Sequence, residues 1–220
     1  MCFSATADFV ASATIGAVGV ATLREVKHRR EILLAAMPCL FALHQFTEGF
    51  VWLGLDHILA PAVVHNAGAA YVLYAQGLLP FLMPLSVLLL EPTRNRRRGM
   101  LLFVVLGGAL ALYILWGLIA YPLTISVQQN SIVYFNVISI TTTVAVLYVI
   151  ATCGALFFSG FRGLVTLAWL NLVGLLAVMF IRRFAFTSVW CAYAAVVSVI
   201  IYFFFRRTRR PQPSEFALAI

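Results

Sequence analysis

Charge is what this sequence has least of. Only 10% of its 220 residues are charged, where a soluble domain of that size carries about 25%. With 63% hydrophobic residues and a mean hydropathy of +1.01, the deficit points to an integral membrane protein and away from a soluble enzyme. Lysine occurs once, as Lys27, so no lysine in the last helix can hold retinal as a Schiff base. Only one of four histidines, His44, falls inside an apolar run, which excludes a bis-histidine haem within one chain. The four cysteines (Cys2, Cys39, Cys153, Cys191) stand singly among apolar residues and match neither a zinc ribbon nor a disulfide framework. No GxSxG, Walker A or HExxH pattern occurs, which disfavours hydrolases and ATPases of those designs and a nucleotide cofactor. No arginine-rich helix suggests a voltage sensor. The opening residues lack the basic segment of a cleavable signal peptide, and Cys2 follows no lipobox-like stretch.

What the chain does have is seven apolar runs, approximately 3–23, 32–54, 68–90, 100–120, 132–157, 163–181 and 185–205. Each is near the ~20 residues that cross a ~30 Å hydrocarbon core. The net charge of +8 does not imply nucleic acid, because the bases fall between these runs without forming a basic stripe. Clusters at Arg24–Arg30, Arg94–Arg98, Arg162 and Arg206–Arg210 all lie on one side if the helices alternate. Only Arg182 and Arg183 lie on the other. The positive-inside rule then sets the N-terminus outside and the C-terminus inside. The expectation is an all-α, seven-transmembrane-helix bundle spanning 1–205, with a cytoplasmic tail at 206–220. Pro211 and Pro213 stop the last helix soon after its basic end.

The most informative residues are His44, Gln45 and Glu48, in the apolar run Ile32–Gly54. Residues four apart share a helix face, so His44 and Glu48 can act together on a proton, a metal ion or a substrate. An ionised carboxylate left alone among Phe46, Phe50, Val51 and Leu53 would cost several kcal/mol, so a compensating group is expected. A rise of ~1.5 Å per residue, counted from each basic flank, puts Asp8 at ~24 Å, Glu48 at ~25 Å and His44 at ~20 Å. Tyr74 and Gln76 reach ~22–25 Å, and Trp190, Cys191 and Tyr193 about 20–24 Å. Polar groups from four helices therefore share a layer in the outer half.

Four readings compete for that layer. In the first, His44 and Glu48 ligate a metal, with Asp8, Cys2 or Cys191 completing the set. Imidazole and carboxylate suit zinc or another divalent ion, and a thiolate favours zinc or copper. Such a centre would make the chain a membrane metalloenzyme if a coordination position stayed open. In the second, Glu48 titrates and His44 relays in a proton-coupled or small-solute transporter. The third is a ligand-sensing receptor for a small molecule. The fourth is structural, with Arg182 or Arg183 as charge partner of Glu48. In the first three, Gln45, Tyr74, Gln76, Trp190 and Tyr193 line the site.

Other residues carry plainer expectations. Trp52, Trp116 and Trp190 fit an interfacial aromatic belt beside lipid. His57 and His65 read as solvated residues of the outer loop, with metal capture there the lesser alternative. Gln128, Gln129 and Asn130 cap helix 5 or line its loop. Asn171 and Thr141–Thr143 hydrogen-bond between helices, at ~1 kcal/mol each. Gly16–Gly19 and Gly107–Ala111 allow close helix contact. Pro38, Pro80 and Pro84 each remove a helical hydrogen bond.

The opening Met1-Cys2-Phe3-Ser4-Ala5-Thr6-Ala7, with His44-Gln45-x-x-Glu48-Gly49 and Trp52, resembles a functionally uncharacterised bacterial family of multi-helix membrane proteins. The resemblance covers most of the chain as architecture and specific residues in the first two helices. It implies that Cys2, His44, Gln45 and Glu48 act together, and a bacterial cytoplasmic membrane as location. Where the usual opening has serine this chain has Asp8, so the resemblance assigns position 8 no role. Cysteines introduced at Ala60, Asn95 and Gln128 check the orientation. Impermeant thiol reagent added outside is expected to label 60 and 128 and to spare 95; the reverse pattern would invert the topology.

Overall fold

In the computed structural model the described residues are 4–128, 131–138, 141–181 and 186–208, excluding the side chains of 175–192 and 208. Ser4 begins the first helix, its hydroxyl accepting from the Ala7 N–H at 3.2 Å. Helix α1 (Ala5–Arg24) buries one stripe, Ala5, Asp8, Ala11, Ile15, Gly19 and Thr22, at three- and four-residue spacing. The Glu31 carboxylate accepts from the backbone N–H groups of Lys27 (2.8 Å) and His28 (3.3 Å), and so shapes the turn into α2 (Ile32–Leu55). Helix α3 (Pro61–Leu90) opens on proline at its first position, where no N–H is missed. It is followed by α4 (Arg94–Ala120), α5 (Thr142–Phe157), α6 (Arg162–Ile181) and α7 (Phe186–Thr208).

The architecture is mostly helical, with seven helices among the described residues when α3 is taken as one. Four of them, Ala5–Arg24, Arg29–Leu55, Pro61–Leu90 and Arg94–Ala120, are long and apolar enough to cross a membrane. Neighbours run antiparallel: Ser12 donates to the Ala42 carbonyl (2.8 Å), Gly54 abuts Val64, and Gly154 abuts Phe103. Helix α7 packs on α6 and returns against α1 and α2, closing the ring.

Two departures from the sequence reading stand out. The run 132–157 is not one helix: strands β1 (Thr124–Gln128) and β2 (Ser131–Phe135) form an antiparallel hairpin, and α5 starts only at Thr142. Thr, Ile, Val, Tyr and Phe dominate both strands, and these side chains suit a pleated surface. Gln128 is therefore the last residue of β1 and caps no helix, while Gln129 and Asn130 lie outside the described residues. Thr141 caps α5 by accepting from the Val144 N–H at 3.4 Å; Thr142 and Thr143 are exposed and make no interhelical hydrogen bond among the described residues. Second, α3 starts at Pro61 and α4 at Arg94, so loop residues of the sequence reading extend both helices. The tail beyond Thr208 lies outside the described residues.

Apolar packing falls into two clusters. The larger includes Met37, Phe41, Met83, Met100, Leu156 and Ile201, toward the arginine-rich end. The other, at the hairpin end, includes Val51, Trp52, Tyr71, Ile114, Ile132 and Tyr134. Asn136 links hairpin to bundle, its amide donating to the Gly117 carbonyl at the end of α4 (3.2 Å).

Helix α3 and α4 meet along a seam made by proline and glycine. Residue 84 is proline, so the Pro80 carbonyl has no helical donor. A Cβ on Gly107 would lie 2.0 Å from that carbonyl oxygen, so α4 approaches it bare. Gly107→Ala is expected to destabilise the protein by about 1–3 kcal/mol in thermal melts in detergent. Its neighbour Gly108, whose Cβ would meet Phe81 at an ordinary 3.5 Å, is expected to tolerate alanine. Equal melts for the two variants would contradict this seam.

Candidate functional site

The polar layer lies between the two apolar clusters. Helix α2 turns His44, Gln45 and Glu48 inward, at 8%, 1% and 0% exposure, and α1 presents Asp8 at 0%. The Gln45 amide Nε2 donates to Asp8 Oδ1, joining α1 and α2 through side chains. Glu48 follows one turn after both His44 and Gln45. Gly49 makes room for the Phe9 ring, which packs edge-on against Phe46 (5.4 Å) and Phe50 (5.7 Å). Those rings wall the acids on the α1 side.

On the opposite side the His44 ring stacks on Tyr71, centroids 3.9 Å apart and planes 21° from parallel. Tyr74, three residues on, meets the same imidazole at 4.9 Å. Tyr71 in turn stacks on Tyr134 of β2 at 4.5 Å. The column His44–Tyr71–Tyr134 thus runs from the layer into the hairpin.

Tyr74 and Gln76 owe their positions to a local defect. Residues Leu73–Leu78 form a π-helical turn, in which the Leu79 N–H bonds to the Tyr74 carbonyl. Pro80 follows and cannot donate to the Gln76 carbonyl, so the regular ladder fails there. Such turns widen a helix and often occur at functional sites. His44 Nδ1, Tyr74 Oη, Gln76 Oε1, Trp52 Nε1 and Ser131 Oγ are buried without a hydrogen-bond partner among the described residues. Each such atom costs about 1–3 kcal/mol unless water or a ligand meets it.

A second polar patch lies one turn toward the arginine-rich end. Tyr193 Oη donates to Asn171 Oδ1 at 2.8 Å, the interhelical role expected of Asn171. Beside them, Thr152 and Phe41 help line a cavity of ≈ 20 Å³, room for about one water molecule.

The structure therefore brings Asp8 to Gln45 and His44 to Tyr74, and leaves Tyr193 in the deeper patch. Cys2, Arg182 and Arg183 lie outside the described residues, as do the side chains of Trp190 and Cys191. Among the described residues no three or more His, Cys, Asp and Glu are placed to hold a metal ion, so Asp8 does not join His44 and Glu48 as a third ligand. Trp52 is buried rather than part of an aromatic belt, whereas Trp116 is exposed. His57 and His65 are exposed; His57 lies in the α2–α3 turn, whereas His65 belongs to α3 and not to a loop. The sequence reading missed Tyr71 and Tyr134, although Tyr71 precedes Tyr74 at the three-residue spacing of one helix face. It also missed Glu91, which is buried and accepts from the Gly160 N–H (2.8 Å), clasping the α3–α4 turn to the α5–α6 turn.

These features define a mostly helical protein with membrane-length apolar helices and a buried layer of acid, amide, imidazole and phenol groups. The chain belongs to a family of unknown function, DUF6629, whose model matches residues 1–216. No curated protein and no solved structure matches it.

The bond between Asp8 and Gln45 is open to a direct check. Gln45→Leu strips a buried carboxylate of its amide donor and is expected to cost about 1–3 kcal/mol in thermal unfolding. Combined with Asp8→Leu, the loss should fall well short of the sum of the singles. Strict additivity would mean the two side chains do not interact.

Proposed function

We propose that this chain is an integral membrane protein that translocates protons through the layer of Asp8, His44, Gln45 and Glu48. The observation that carries this reading is the burial of two carboxyl groups and an imidazole at one level, between two apolar clusters. Such groups in a membrane interior mark proton relays and solute paths, because burying them without a use is costly. Helix α4 supports a lipid surrounding: Leu102, Val105, Leu112 and Ile119 are 68–79% exposed, a contiguous apolar face that water would penalise. Polar atoms also extend from the layer in both directions. Trp52 and Ser131 lie toward the hairpin, while Tyr74 and the Thr152–Asn171–Tyr193 cavity lie toward the arginine-rich end. Water bridging these groups would complete a hydrogen-bonded path. The positive-inside pattern orients the hairpin end outward, in a bacterial cytoplasmic membrane. Coupling to a small solute is a variant of the same site.

The second reading is a metal centre, zinc before copper, with His44 and Glu48 as first ligands. It is favoured by one observation, the buried His44 Nδ1 without a hydrogen-bond partner. It ranks second because its further ligands must come from Cys2 or Cys191. A metal there would lower the pKa of a bound water and make the protein an enzyme.

Protein reconstituted into liposomes around a trapped pH indicator is expected to dissipate an imposed pH gradient. Glu48→Gln and Asp8→Asn keep shape and remove the titrating group, and each should slow the flux by about 100-fold or more. Native protein that leaves the gradient standing, or Glu48→Gln that conducts normally, would overturn the relay. A stoichiometric metal lost in His44→Ala and Glu48→Ala would select the second reading instead.

A further inference from the structure

Helix α2 ends in a hydrogen-bond pattern that normally demands glycine. The His57 N–H bonds to the Gly54 carbonyl (3.1 Å) and the Ile58 N–H reaches back to the Leu53 carbonyl (2.9 Å). This pair of bonds is the Schellman arrangement, which puts the residue after the C-cap in the left-handed region. That residue is His57, with φ of +61°, the only non-glycine with positive φ among the described residues. A Cβ there is sterically penalised, and glycine would relieve the strain. Histidine enters that region more readily than most residues, yet glycine would cost the fold less.

The surroundings of His57 offer a reason for the imidazole. His57 and His65 both line an open cleft of ≈ 300 Å³ between the α2–α3 turn and the hairpin, walled by Leu55, Val64, Leu123 and Ile125. That is the lower end of ligand-pocket volumes, and mostly apolar walls with a few polar groups are the usual makeup of a binding site. The two polar groups here are both imidazoles. Both residues are exposed and border the same cleft, so neither ring is locked in one rotamer by packing. Neutral imidazole is the commonest protein ligand for borderline divalent cations. No third His, Cys, Asp or Glu joins them among the described residues, which leaves coordination positions for water or a small ligand.

We infer that His57 and His65 form a two-imidazole site for a borderline divalent cation such as Zn²⁺ at the hairpin end of the bundle. The site is separate from the buried layer and does not depend on its proposed role. This site would account for an imidazole rather than glycine at the strained position 57.

Full-length protein in detergent, titrated calorimetrically with Zn²⁺, tests this. Native protein and His28→Gln, which changes the other exposed histidine, should bind one ion per chain with equal affinity at this site. His57→Gly and His65→Gln should each weaken it by about tenfold or more. His57→Gly should at the same time melt about 2–4 °C higher, because the strain is gone. Zn²⁺ binding absent from the native protein, or unchanged in both cleft variants, would overturn the site. A His57→Gly protein that melts no higher would overturn the reason for placing function at His57.

Discussion

The Gln45 amide donating to the Asp8 carboxylate ties α1 to α2 between two apolar clusters, where both side chains are buried from water. A polar group placed there must be met by the protein itself. Much of the N-terminal half follows from that requirement. Helix α1 carries a stripe of small residues so that its backbone can approach α2; a Cβ on Gly19 would fall 2.8 Å from the Cys39 nitrogen. Phe9, Phe46 and Phe50 close the outer side, and α7 covers the inner one. Apolar clusters above and below confine the polar groups to one layer.

Helix α3 answers the same requirement by a different device. Two prolines four residues apart cost it backbone hydrogen bonds, yet each loss is put to use. Ahead of Pro80 the helix widens into a π turn that carries Tyr74 and Gln76 beside His44. At Pro84 the freed carbonyl of Pro80 becomes the surface against which Gly107 packs. Irregular backbone at membrane depth survives only where protein or water can meet it, and here neighbouring helices enclose it.

Part of the candidate site was legible from residues alone. His44 and Glu48 stood out because an imidazole and an acid four residues apart in an apolar run share one helix face, and both are buried. Asp8 was placed at their level by counting helical rise, and the structure joins it to Gln45. The column His44–Tyr71–Tyr134 was not legible, since it needs three elements, one of them a hairpin. That hairpin was misread because its β-branched residues form an apolar run as continuous as a helix. Periodicity cannot separate the two in so short a stretch. Trp52 was read as a belt residue because tryptophan near a helix end has an interfacial preference; tertiary packing of the hairpin over it decided otherwise.

By itself the sequence determined that the chain is mostly helical, that several of its runs are long and apolar enough to cross a membrane, and that Asp8, His44, Gln45 and Glu48 stand near one level. Those quantities are local: run length fixes what can cross hydrocarbon, and a constant rise per residue fixes depth. Only the tertiary structure decided which groups at one level meet. A contact depends on how each helix is rotated about its axis and how closely its neighbours approach. Those are set by glycines, prolines and aromatic rings packing from different parts of the chain, which no single run of sequence contains.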